Sequence, residues 1–146
     1  MFVQPYLMFD GRTEEALKFY EKAVGAKIGP LMRFADAPPM DPANAEGCAG
    51  GPPPNSAQKI MHTSFHVGDT EILASDGMCG GKPNFSGISL AVQADGVDQA
   101  NKYFAALGEG GKVEMPLAPT FFAEAFGMVT DKFGVNWMVL GGPKQV

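Results

Sequence analysis

The chain has 146 residues, with 16 Asp and Glu against 11 Lys and Arg and a net charge of −5. A chain of this length buries roughly 68–70% of its unfolded surface and needs no staple. The acidic balance argues against a phosphate-backbone partner, so no nucleic acid is expected, and no run approaches the roughly 18 apolar residues of a membrane span.

The first segment, "PYLMF", is an extended apolar stretch that meets an Asp-Gly turn. After it, "DGRTEEALKFYEKAVGAKI" over residues 10–28 carries apolar residues at helical spacing, with Ala16, Leu17, Tyr20, Ala23 and Val24 as the buried stripe. Thr13 is the expected N-cap and Gly25 the C-terminal stop. A strand is predicted over 27–35, where Arg33 alternates with Met32 and Phe34. A guanidinium there could hold an anionic ligand, or simply sit at a solvated edge. Residues 36–58, "DAPPMDPANAEGCAGGPPPNSAQ", hold six of the 12 prolines and read as a lid or a disordered insertion.

The next predicted strand, 59–67, is "KIMHTSFHV" and contains both histidines. It is joined by Gly68-Asp69 to a strand over 70–76, the signature of a hairpin. On a strand, His62 and His66 share a face but sit about 13 Å apart at 3.3 Å per residue, whereas zinc–nitrogen bonds are about 2.0–2.1 Å. The pair is therefore not a metal clip. Met61, Thr63, Phe65 and Val67 form one mostly apolar face; His62, Ser64 and His66 line the other, with mid-strand His62 the better pocket candidate. A Gly-rich link, "DGMCGGKPN", follows.

The pattern then repeats. "DGVDQANKYFAALGEGGKV" over 95–113 aligns with residues 10–28, with Val97, Ala100, Phe104 and Leu107 as the stripe and Gly108 and Gly110 as the stop. Strands are predicted over 112–117, 126–130 and 135–140. Phe121 and Phe122, after Pro119, could roof a cavity. On the last strand Asn136, Met138 and Leu140 share one face, while Val135, Trp137 and Val139 face a helix, which makes Trp137 a core residue. The expected architecture is one α+β domain, 1–146, of two βαβββ modules, 1–76 and 86–146, whose curved sheet carries helices on its outer face. Cys48 and Cys79 lack CxxC spacing and read as free thiols, and "MFVQPYLMFDG" lacks the features of a secretory signal, so a cytoplasmic setting is expected.

The duplicated unit, with "PYLMFDG", "KIMH", "ASD" and "FGMVTDKFGVNWMV", resembles the vicinal oxygen chelate superfamily of glyoxalase I, bleomycin-resistance proteins and extradiol dioxygenases. Within it the chain looks like the PhnB-like branch, also labelled 3-demethylubiquinone 3-methyltransferase-like. The resemblance implies a cup-shaped sheet around a ligand cavity, commonly in a homodimer, and in metal-using members four ligands from the first and last strands of each half. The closing pattern D-P-x-G-N-x-x-E matches at Asp131 and Gly134, but its glutamate slot falls on Met138, a soft and weak donor. The fifth-strand slot falls near Gly87. Gln4, beside Tyr6 and Met8 on the first strand, and Glu71 on the fourth are the remaining donors, two where a tight site needs three or four.

Two functions follow. The first is a metal-free protein that binds a small, partly apolar molecule through His62, Asn136, Met138, Gln4, Tyr6, Arg33 and Phe121, with no cofactor and no assigned catalytic residue. The second is a divalent-metal lyase or dioxygenase using Gln4, Glu71 and His62. The methyltransferase label finds no GxGxxG-like turn ahead of a helix.

Overall fold

In a computed structural model that describes residues 1–36, 58–77 and 83–143, the chain runs β1 (Tyr6–Met8), α1 (Thr13–Val24), β2 (Lys27–Ile28), β3 (Met32–Arg33), a 3₁₀ turn (Phe34–Asp36), β4 (Ile60–Val67) and β5 (Thr70–Ser75). It continues with β6 (Ser89–Ala94), α2 (Val97–Leu107), β7 (Lys112–Ala118), β8 (Ala123–Thr130) and β9 (Asn136–Pro143). The fold is α+β. One sheet has the order β1-β5-β4-β2, with β3 also on β4; the other has the order β6-β9-β8-β7. In each, the strand before the helix pairs in parallel with the last strand of its module, and the remaining pairs are antiparallel. The duplication read from residues 10–28 and 95–113 is thus a duplication of topology. The chain divides into two compact units, Met1–Glu21 with Gly25–Pro83, and Lys22–Val24 with Asn84–Val146. Among the described residues no helix is long and apolar enough to cross a membrane. Residues 37–57, Cys48, Cys79 and most of the inter-module link lie outside the described residues.

The core follows the two periodicities. On α1, Ala16, Leu17, Tyr20, Ala23 and Val24 are all buried, and Tyr20 stacks on Phe65 of β4 at 5.7 Å between ring centroids. Leu7, Phe65, Ile72 and Ala74 bury the corresponding face of the first sheet. In the second, Ala123, Ala125, Val129, Trp137 and Val139 alternate inward beneath α2, which packs on β6, β8 and β9. Trp137 is 1% exposed and its indole N–H donates to Asp131 Oδ2 at 2.8 Å, as a buried Trp requires. On α2, Ala100 and Leu107 are buried, but Phe104 is half-buried and Val97 lies at the surface.

Several local expectations are corrected. The strand over 27–35 is two short pieces, because Pro30 has no N–H to give the ladder and the pairing with β4 shifts register between Met32 and Arg33. Strand β8 starts at Ala123 and β9 runs on to Pro143, both longer than predicted. Thr13 is not the N-cap but the first helical residue, with Arg12 at the cap position and no local side-chain cap. A distant residue does that work: Asp76 Oδ1 accepts from the N–H of Gly11 at 2.8 Å, the N–H of Thr13 at 3.0 Å and the Thr13 hydroxyl at 2.6 Å. Its Oδ2 accepts from the N–H of Ile60 at 2.7 Å. One buried carboxylate therefore fixes the start of α1, the β1–α1 turn and the start of β4, and its negative charge complements the positive N-terminal end of the helix dipole. At the other end Gly25 adopts the left-handed conformation, φ 69°, as expected of the stop.

Candidate functional site on the sheet faces turned away from the helices

On the first sheet, parity places Tyr6 and Met8 opposite buried Leu7, and both are exposed. Register continues the face across the sheet: Tyr6 stands beside Leu73, which stands beside Ser64, and His66 stands beside Glu71. His62 is exposed on this face, its Nδ1 lying 3.4 Å from the Tyr6 hydroxyl with the rings 5.8 Å apart. His66 Nε2 lies 3.8 Å from Glu71 Oε2, so the two histidines have different partners. The predicted alternation on β4 is kept from Thr63 to His66, with Thr63 and Phe65 buried, while Ile60 breaks it by burying its side chain.

The second sheet presents rows. At one end a hydrogen-bonded line crosses all four strands: the Ser89 hydroxyl donates to Asn136 Oδ1, the Asn136 amide to Thr130 Oγ1 at 3.3 Å, and the Thr130 hydroxyl to Glu114 Oε1 at 3.2 Å. A register shift between Val113 and Met115 inserts Glu114 as an extra residue on β7 and brings its carboxylate to Thr130. The next row is sulfur-rich, with Met115 opposite Met128, Met128 opposite Met138, and Met138 beside Ala91. A third row sets Ala118, Phe126, Leu140 and Gln93 side by side. Met128, Met138, Phe126 and Leu140 are all half-buried.

The remaining predicted site residues are distributed as follows. Gln4 precedes β1 and is half-buried. Arg33, part-exposed on the peripheral strand β3, has its guanidinium engaged by its own fold, donating to Glu14 Oε2 at 2.8 Å and to the Gln58 carbonyl at 2.7 Å. That hydrogen bond, with the charge of Arg33, holds the Glu14 carboxyl below its ordinary value of 4.5. Phe121 is 76% exposed in the turn built on Thr120, its ring against Phe122, which in turn meets Phe126. Asn136 and Met138 lie on the face parity assigned them. Sequence reading missed Ser89, Glu114, Met115, Met128 and Thr130; the alternation of "FGMVT" with "VNWMVL" carried part of that signal.

The superfamily that the sequence resembles implies a divalent cation, and the donor set among the described residues does not fit one. Met138 fills the glutamate slot with a thioether, and its β6 neighbour is Ala91, a methyl group. Gly87, the slot expected from sequence, lies in the turn before β6 at φ 80°. Among the described residues no three His, Cys, Asp or Glu side chains are grouped so as to hold a metal ion.

Comparison with known proteins shows the family. The family model described as 3-demethylubiquinone-9 3-methyltransferase matches residues 2–140. Protein YjdN of Escherichia coli K12 is 36% identical over 138 residues, covering 94% of this chain and 92% of YjdN. The crystal structure of PA1353 from Pseudomonas aeruginosa superposes with a TM-score of 0.80 at 35% identity, covering 97% of this chain and 98% of that one. The PhnB protein from Bacillus cereus (TM-score 0.73, 23% identity, 96% and 98% coverage) shares the fold. So does fosfomycin resistance protein FosX from Listeria monocytogenes (TM-score 0.62, 10% identity, 97% and 92% coverage). The chain belongs to the 3-demethylubiquinone-9 3-methyltransferase family.

Proposed function

We propose that this protein binds a small, partly apolar molecule on the outward face of its second sheet, without a resident metal. The observation that carries the reading is the row Met115, Met128 and Met138 bordered by the hydrogen-bonded row Ser89, Asn136, Thr130 and Glu114. Thioether side chains adapt their shape to an apolar guest, and a fixed polar line beside them orients it. The family's name carries methyl transfer, but the N-terminus of α1, where a nucleotide-binding turn would present its N–H groups, is filled by the Asp76 carboxylate. FosX from Listeria is described with Mn(II) and a dihydroxypropylphosphonic acid; here the row through Met138, on which the glutamate of the closing pattern falls, offers thioethers and the methyl of Ala91.

Native mass spectrometry of gently purified protein, with and without chelator, tests the reading. Expected is an organic adduct that survives chelation, with metal well below one equivalent. A stoichiometric divalent ion whose removal releases the adduct would defeat it. A homodimer is part of the same proposal, motivated by Phe2 and Val3, 80% and 94% exposed ahead of edge strand β1. Light scattering should give twice the 15.4 kDa chain mass.

A further inference from the structure

The polar row on the second sheet has a direction, and the direction selects a ligand. A carboxylate accepts hydrogen bonds and donates none, so the Thr130 hydroxyl spends its proton on Glu114. Thr130 Oγ1 must then accept from the Asn136 amide nitrogen, which turns Asn136 Oδ1 toward Ser89 and makes the Ser89 hydroxyl the donor there. The orientation of an amide and two hydroxyls is thus imposed by one carboxylate on β7. Its consequence appears on β6, where Ser89 Oγ has given away its only proton and presents lone pairs. Lys112, the cation opposite Thr130, stands on β7, the far edge of the sheet from β6 and about 14 Å away at the usual strand spacing.

We infer that this site, resting on the reading above, takes an aromatic molecule whose polar end is a hydroxyl donor, a phenol or aryl alcohol, and that it discriminates against anionic heads. The hydroxyl donates to Ser89 Oγ. The ring lies on the next row, Met138 and Met128 beside Ala91, about 6.6 Å further along the strands, where sulfur–aromatic contact is favourable. A short alkyl substituent reaches the Leu140 and Phe126 row about 13 Å from the head. The chain's own side chains do no more than accept one hydrogen bond and supply a polarisable floor; no bond is made or broken.

The experiment uses the full chain with its nine methionines labelled at the methyl carbon and three probes: 4-propylphenol, its methyl ether 4-propylanisole, and 4-propylbenzenephosphonic acid. The expected result is that the phenol shifts the Met128 and Met138 methyl signals and binds about fivefold to tenfold tighter than the ether, while the phosphonic acid binds more weakly than either. Ser89→Ala should erase the preference of phenol over ether without weakening the ether. Thr130→Val, which releases the orientation of Asn136, should reduce the same ratio. Equal binding of phenol and ether, or tighter binding of the phosphonic acid, at unchanged Met128 and Met138 shifts would overturn the donor-head inference and leave the binding face intact. Failure of all three probes to move those methyl signals would overturn both.

Discussion

The two halves of the chain share a strand-helix-three-strand topology and solve the same junction in opposite ways. Where the first and last strands of a module run side by side into the helix, the first half extends a buried carboxylate and the second removes its side chain altogether. Continuing the register of β1 and β5 by one residue sets Phe9 beside Asp76; the register of β6 and β9 sets Ala94 beside Gly141. Asp76 closes the start of α1 by accepting its N–H groups. At Gly141 a β-carbon would lie 2.7 Å from both the Ala100 β-carbon and the Gly96 carbonyl, so α2 approaches its strand by direct backbone contact. The outward faces diverge as well. Ser64 and Leu73 in the first sheet occupy the positions that Met128 and Met138 take in the second, and Glu71 corresponds to Asn136. Helix-facing packing has been kept through the duplication while the other face was free to change.

Substitutions at the junction should break the comparison most strongly. Asp76→Ala orphans three backbone N–H groups, those of Gly11, Thr13 and Ile60, the last two buried, and at roughly 1–3 kcal/mol for each buried donor left unpaired the loss should be about 2 kcal/mol or more. Urea unfolding would read it, and a loss below about 1 kcal/mol would mean that water replaces the carboxylate. Gly141→Ala should cost about 1–3 kcal/mol, since overpacking must push α2 away; an unchanged midpoint would show that the helix yields without strain. Thr130→Val lies on the sheet surface and should change stability by about 0.5 kcal/mol or less, so its effect on ligand selection is separable from folding.

The smallest effect belongs to Glu14. Its carboxyl is held low in the folded state by Arg33, so the ionised form stabilises the protein at neutral pH, and that contribution is lost as pH falls below 4.5 through the folded value. Because the pair is part-exposed, the expected contribution is about 0.5 kcal/mol or less. The difference in stability between Glu14→Gln and the parent should therefore be small at pH 7 and vanish in acid. A difference that grew on acidification would reverse the assigned sign.

Much of this was legible in the residues because burial on regular elements is periodic. The stripe from Ala16 to Val24, the strand assignment of "KIMHTSFHV" and the inward face of Trp137 all follow from periods of 3.6 and 2. What was not legible depends on distance in the chain. Thr13 looks like a cap because Ser and Thr usually cap locally, but Asp76, 63 residues on, supplies the acceptor. Arg33 looks available on a strand until Glu14 and Gln58 come to meet its guanidinium. The row from Ser89 to Glu114 spans four strands and depends on a bulge, so its parts lie in four separate segments. Met138 could be seen to replace a ligand; Met115 and Met128 could be aligned with it only through register.

The most direct test of the central claim is the methyl spectrum of methionine-labelled protein at one equivalent of Mn(II). The account predicts that the Met115, Met128 and Met138 signals stay sharp, because thioethers and the methyl of Ala91 give a hard cation no grip. Selective broadening of those three signals, reversed by chelator, would place a metal on this face and contradict it.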